Sequence, residues 1–252
     1  MSRLAIVSAM GQEQRALLAQ LPQATRQMVA GREVWLGQLF GHELALTVSR
    51  IGKVAAATTA TALIERLEVR RILFTGVAGG LAEGVRVGDM VVAREFLQHD
   101  LDASPIFPRY EVPLYGCSRF ASDAALSDSL SLAAQDALND RDELLGRDAL
   151  ASFKLDTPRL HHGLIVSGDR FVSSAAESRT LREELPEALA VEMEGAAVAQ
   201  VCHDYGVPFA ALRTISDRAD DKAHVDFLRF IEEVASLYSA AVVGKLLARL
   251  PS

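Results

Sequence analysis

Apolar positions along the chain fall into short runs separated by amphipathic stretches, and the two kinds alternate from end to end. Runs of strand length and strand character recur at 4–8, 34–39, 44–49, 72–75, 90–93, 163–167 and 209–215. Between them a helical period marks 12–20, 54–67, 124–138, 175–185, 194–205 and 227–250. A further apolar stretch ends at Val191 and gives way to a helix with almost no side-chain bulk from Gly195 to Ala199. Such alternation predicts an α/β fold whose parallel or mixed sheet is covered by helices on both faces. The glycines after the 72–75 run (Gly76, Gly79, Gly80, Gly84, Gly88) read as a loop where backbone approaches a ligand at strand carboxyl ends. The charged stretch 140–159 has little periodicity and reads as a mobile excursion or a short helix. No repeat or linker interrupts the pattern, so 1–252 is read as one domain.

Composition narrows the class. Of 252 residues, 50% are hydrophobic and 23% charged, enough for one large core. A net charge of −7 argues against nucleic acid or an anionic membrane as partner. Cys117 and Cys202 give neither a disulfide framework nor metal spacing, and Cys202, in an apolar helical stretch, reads as a core thiol. The histidines, His161 and His162 included, lack ligand spacing, so no metal site is expected. The apolar run at Leu4–Val7 is too short for a signal peptide, and no stretch approaches a membrane span. The expectation is a soluble, cytoplasmic protein.

Candidate chemistry collects at strand ends. Glu192, Met193 and Glu194 set two carboxylates and a thioether where strand becomes helix. Ionised carboxylates are rarely buried without partners, so the pair calls for cations or hydroxyls, such as those of a sugar. An ordinary helix N-terminus, with acids favoured by the macrodipole, is the plainer reading. After the first strand, Ser8-Ala9-Met10-Gly11-Gln12-Glu13 places Glu13 in a first helical turn, where it serves chemistry or only the dipole. The run Thr75-Gly76-Val77-Ala78-Gly79-Gly80 is nearly free of side chains and would let a flat ring lie on main chain. It is neither a dinucleotide fingerprint nor a Walker loop. Ser167-Gly168-Asp169-Arg170-Phe171-Val172 carries an aromatic that stacks on a planar base or plugs the core. Arg213-Thr214-Ile215-Ser216-Asp217 delivers a Ser-Asp pair, a positioned proton donor or a turn cap.

Together these runs, with Ile51-Gly52-Lys53-Val54-Ala55-Ala56 and Val87-Gly88-Asp89-Met90-Val91-Val92, resemble the nucleoside phosphorylase/nucleosidase superfamily. Within it the likeness is to the 5'-methylthioadenosine/S-adenosylhomocysteine nucleosidases, and it covers nearly the whole chain. The resemblance implies a three-layer α-β-α fold with a twisted central sheet, a homodimer and no cofactor. It implies that Asp217, beside Ser216, meets N7 of adenine, that Glu13 orients the attacking water, and that Arg213 is a supporting cation. It further implies that Glu194 grips the ribose 2' and 3' hydroxyls, with Met193 against the sugar and Glu192 in support. Phe171 would stack on adenine and Val172 offer it main-chain contacts. Met10 and Ile51 would line the ribose and 5' tail, and Val77, Ala78, Gly79 and Phe227 would complete the binding wall. Phe107 and Pro113 would be lent by the partner subunit to the 5' pocket.

Two features depart from the family pattern. Many relatives carry Ser where this chain has Val77, and the 102–160 stretch is longer than in compact relatives. A phosphorylase would need a phosphate cradle after the first strand, where Glu13 would repel the anion. A non-catalytic nucleoside binder would need neither Glu13 nor Asp217. Other adenine nucleosides, 5'-deoxyadenosine or aminodeoxyfutalosine, remain alternative substrates on the sequence alone.

Overall fold

The computed structural model describes residues 3–21, 23–219 and 227–251. In chain order these form β1 (Leu4–Ser8), α1 (Gly11–Leu18), β2 (Thr25–Val29), β3 (Arg32–Leu39), β4 (His42–Val48), α2 (Lys53–Leu67) and β5 (Arg71–Gly80). There follow β6 (Met90–Gln98), β7 (Arg119–Ala121), α3 (Ala124–Asn139), α4 (Arg141–Phe153), β8 (Leu160–Ser167), α5 (Ala175–Glu184) and β9 (Ala188–Glu192). The last elements are α6 (Gly195–Tyr205), β10 (Phe209–Asp217), α7 (Phe227–Phe230), a π-helical turn (Ile231–Ala235) and α8 (Ser236–Leu247).

The strands make one mixed sheet in the order β10-β6-β8-β9-β5-β1-β4-β3-β2, with β7 added beside β6. Helices flank it on both faces. Period-two alternation divides the central strands between two cores. Leu4 and Ile6 of β1, Leu73 of β5 and Met90 and Val92 of β6 join α1, α3, α4 and α8. Ala5, Val7, Ile72, Phe74, Val91 and Ala93 face α2 and α6. Each fully buried Leu, Val or Phe contributes on the order of 1.5–3 kcal/mol. Because both faces are covered, β1 is buried at every position and reads in sequence as one continuous apolar run.

The fold gathers strand ends. β5 runs parallel to β1 through Phe74 and parallel to β10 as far as Gly79. Beyond the end of β1, Gly79 and Gly80 pair antiparallel with Val191 and Ala190 of β9. The carboxyl ends of β1, β5, β9 and β10 therefore converge. Of the glycines expected in a loop, Gly76, Gly79 and Gly80 are in the last half of β5, because β10 and β9 supply pairing that no local signal announces, while Gly84 and Gly88 lie in the turn that follows. The small residues of α6 have a packing reason: a Cβ on Gly195 would collide with the Phe96 ring.

Other differences are local. The 140–159 stretch is largely α4, kinked at Gly146 with φ +73°. β2 and β7 were absent from the sequence pattern. Cys202 is buried and its thiol is pushed up to about 12 by desolvation, so the core-thiol reading holds. Among the described residues no helix is long and apolar enough to cross a membrane.

Candidate active site

A cavity opens where those strand ends meet, with about 630 Å³ of space including its solvent-facing mouth. Met10, Glu13, Ile51, Val77, Ala78, Gly79, Phe171, Val172, Glu192, Met193, Glu194, Ser216, Asp217 and Phe227 all border it. Ala9, Arg170 and Val191 border it too and were missed; they neighbour residues that sequence reasoning did select.

Glu13 occupies the inner end. Met10 caps α1 in an extended conformation, and Glu13 folds back so that Oε2 accepts from the Met10 N–H at 2.8 Å. Its Oε1 accepts from the Val77 N–H on β5 at 3.0 Å. A side chain only 2% exposed is not decorating a helix dipole. A Cβ on Gly76 would lie 2.5 Å from Oε1, so the carboxylate approach requires glycine there. Burial raises the Glu13 pKa above the ordinary range, against the pull of the Met10 N–H, the Arg213 charge and the Val77 N–H. The outcome is a carboxylate of increased proton affinity.

Behind it sits Arg213, fully buried, its guanidinium 4.1 Å from the Phe74 ring centroid. Nη2 donates to Glu192 at 2.7 Å, while Nη1 and Nε are buried with no hydrogen-bond partner among the described residues. Arg213 does not border the cavity. It is a charge wedged between Glu192 and the Glu13 corner. Breaking such a buried pair costs about 3–5 kcal/mol.

Glu192 and Glu194, two residues apart, are held very differently. Glu192 accepts from Ser167 Oγ, from Arg213 and from the N–H groups of Glu194 and Gly195 at the start of α6. Ser167 Oγ in turn accepts from the Ala196 N–H at 2.8 Å. Every lone pair of Glu192 is spoken for, so its role is to brace the floor. Glu194 receives one donor among the described residues, the Gly52 N–H at 2.8 Å across the cavity mouth. Its pKa is pushed up to about 8, by burial first and then by the Glu192 charge, against the Gly52 N–H and Arg213. It is the acid with bonding capacity left for a ligand.

At the opposite end Asp217 accepts from Ser216 Oγ at 2.8 Å and from the Ala219 N–H at 2.7 Å. Ala219 adopts φ +50° to bring that N–H round. Phe171 and Phe227 meet edge to face, centroids 5.9 Å apart, and flank the mouth. Phe171 is 48% exposed, which excludes the core-plug reading.

Phe107 and Pro113 do not border the cavity of their own chain. They belong to a strap, 102–117, tied down by Arg109 and Tyr110, whose Nη atoms and hydroxyl donate to Glu184 at the end of α5. Val112 is buried and Tyr110 packs on its own core, so two of the strap's apolar residues are accounted for within the chain. Ile106 and Leu114 are almost fully exposed. Among the described residues no group of three acids, histidines or cysteines could hold a metal ion.

The phosphorylase superfamily model matches residues 3–248. The chain belongs to that superfamily. Its solved relatives place it with the 5'-methylthioadenosine/S-adenosylhomocysteine nucleosidases. The enzyme of that name from Neisseria meningitidis, in complex with methylthio-immucillin-A, is 33% identical, with 99% of this chain and all of that one covered and a TM-score of 0.86. The Streptococcus pneumoniae enzyme, with a transition-state inhibitor, is 32% identical over 98% of each chain, TM-score 0.83. A futalosine hydrolase of Helicobacter pylori is 31% identical over 99% of this superfamily member and 98% of its own chain, TM-score 0.84.

Proposed function

We propose that this superfamily member hydrolyses the N-ribosidic bond of 5'-methylthioadenosine and S-adenosylhomocysteine, releasing adenine. The observation that carries the proposal is the pair of buried carboxyls, Glu13 and Asp217, at two ends of one cavity flanked by aromatic rings. Their neighbours on β5, Gly76 and Gly79, are three residues apart, on the order of 10 Å at about 3.3 Å per residue. An acid for the leaving group and a separate carboxylate for water is the division of labour of inverting glycosidases.

The chemistry follows from what each group can hold. As the C1'–N9 bond breaks, the sugar becomes oxocarbenium-like and the purine gains negative charge. Asp217, steadied by Ser216 and the Ala219 N–H, gives a proton to N7. Water adds to C1' from the Glu13 side, and Glu13, whose proton affinity burial has raised, takes the proton. Glu194 accepts from the 2' and 3' hydroxyls, bonds that strengthen as the sugar turns cationic. Arg213 and Glu192 keep the floor charge fixed. Phe171, with Phe227, stacks on the base, Val172 gives it main-chain contacts, and Met10, Ile51, Met193, Val77, Ala78 and Gly79 shape the sugar wall. No cofactor is called for.

The exposed strap residues support a two-fold dimer in which Phe107 and Pro113 reach the partner's 5' pocket. A single domain working in the cytoplasm on adenine nucleosides completes the reading. The test is adenine release from a panel of 5'-substituted adenosines, with and without phosphate. Turnover that needs no phosphate, and is best for methylthio and homocysteinyl groups, is expected. Turnover only with phosphate, yielding a sugar 1-phosphate, would overturn hydrolysis.

A further inference from the structure

We propose that Lys53, Asp100 and Asp169 form a positioning brace that aims Glu194 at the sugar. This deepens the proposed function and rests on its reading of Glu194 as the sugar-binding acid. The donor that orients Glu194 is the N–H of Gly52, a residue at φ +96° in the turn before α2. The next N–H, of Lys53, donates to Asp169 Oδ1 at 2.7 Å. The Asp169 N–H donates to Asp100 Oδ2 at 2.8 Å, and Asp100 Oδ1 pairs with Lys53 Nζ at 2.6 Å. The circuit starts and ends on Lys53, and Nζ also reaches Gln98 Oε1 at 3.1 Å.

The circuit joins the start of α2, the end of β6 and the turn after β8. β6 and β8 are already laddered as far as Gln98 and Ser167, so the sheet does not need it. Asp169 is exposed, and the Lys53–Asp100 pair is half-buried. What the circuit adds is a tie at the Gly52–Lys53 end of the turn, whose other end is held by Ser49 Oγ on the Arg50 carbonyl and Arg50 Nη2 on the Gly31 carbonyl; Ile51 is 56% exposed and Gly52 has no side chain to add another. A Cβ on Gly52 would sit 3.1 Å from Asp169 Oδ1, so the brace lies against the very residue whose N–H it aims. Burial opposes the Asp100 charge, but Lys53 and the Asp169 N–H outweigh it and hold its pKa below the ordinary range.

A merely structural role and a positioning role separate by substrate. Asp169→Ala and Lys53→Met are compared with the parent on 5'-methylthioadenosine and on its 2',3'-dideoxy counterpart, with chemical denaturation as a fold check. The expected loss in kcat/KM is about tenfold on the ribonucleoside, below the roughly 10²-fold that a 1 Å misplacement can cost, and under about twofold on the dideoxy compound. Asp169→Asn, whose amide oxygen can still accept from the Lys53 N–H, should restore most of it. The acid limb of the ribonucleoside pH profile should move up in Asp169→Ala, because the Gly52 N–H favours the ionised form of Glu194. The groups facing that carboxylate, Glu192, Glu13 and Arg213, are unchanged. Equal losses on both substrates, or none, while Glu194→Ala still loses selectively on the ribonucleoside, would overturn the brace. Equal losses in Glu194→Ala itself would overturn the sugar contact beneath it.

Discussion

The floor and the mouth of the cavity are built from similar residues under opposite rules. At the floor Glu13, Arg213 and Glu192 are almost wholly buried. Glu192 is saturated by five donated hydrogen bonds, and Glu13 is clamped by two main-chain N–H groups. At the mouth Phe171 and Ile51 are about half exposed, while Glu194, itself buried, accepts from a single N–H among the described residues, that of Gly52. The difference teaches where each kind of work is done. Charge that must act at a fixed point is surrounded by preorganised dipoles, whereas surfaces that must admit a ligand keep capacity unused.

The comparison breaks most visibly at Arg213. Arg213→Met should leave Glu192 buried without its counter-charge and cost about 3–5 kcal/mol of unfolding free energy by denaturant titration. A loss below about 1 kcal/mol, typical of exposed pairs, would show that the floor is not a closed charge network. At the mouth, Phe171→Ala should leave stability nearly unchanged and raise KM for the nucleoside. Base–aromatic stacking is worth about 1–3 kcal/mol, so the rise should be roughly tenfold with kcat little altered. A variant with normal KM and depressed kcat would move Phe171 from binding to chemistry.

A subtler contrast is in pH. Glu194 has a folded-state pKa raised to about 8, so the free protein loses stability from this group as pH rises from the unfolded carboxylate range through about 8. Binding of hydroxyls to the ionised form pulls the other way, so nucleoside affinity should increase across the same interval. Glu194→Gln should flatten both trends; unaltered slopes in calorimetry and in the pH profile of KM would assign the titration to another group.

The architecture was largely legible because its central strands are buried on both faces and read as unbroken apolar runs. β2 was not, since it lies on the sheet edge with mostly exposed or half-buried side chains and carries no alternation. The Gly76–Gly80 half of β5 was not, since its pairing comes from β9 and β10, far away in sequence. The cavity acids stood out as charges at strand ends, but their fates were hidden. Whether Glu13 only complemented a helix dipole or also faced a ligand turned on the N–H of Val77 and the bare Gly76. Likewise Glu192 and Glu194 look alike in sequence; Ser167 and Arg213 claim one, Gly52 touches the other. Lys53 and Asp169 lie in runs that stand out in the sequence, but their circuit with Asp100 joins three distant segments and no one of them announces it.

The division of labour between floor and mouth stands or falls on Asp217 and Glu13. Single-turnover adenine release, measured beside equilibrium binding of the same nucleoside, should fall at least about a hundredfold in both Asp217→Asn and Glu13→Gln, in line with the 10²–10⁴-fold value of general acid–base catalysis. Binding should stay within about threefold of the parent, since uniform binding and chemistry are separable. Near-normal release in either variant, or binding lost in step with rate, would contradict the account.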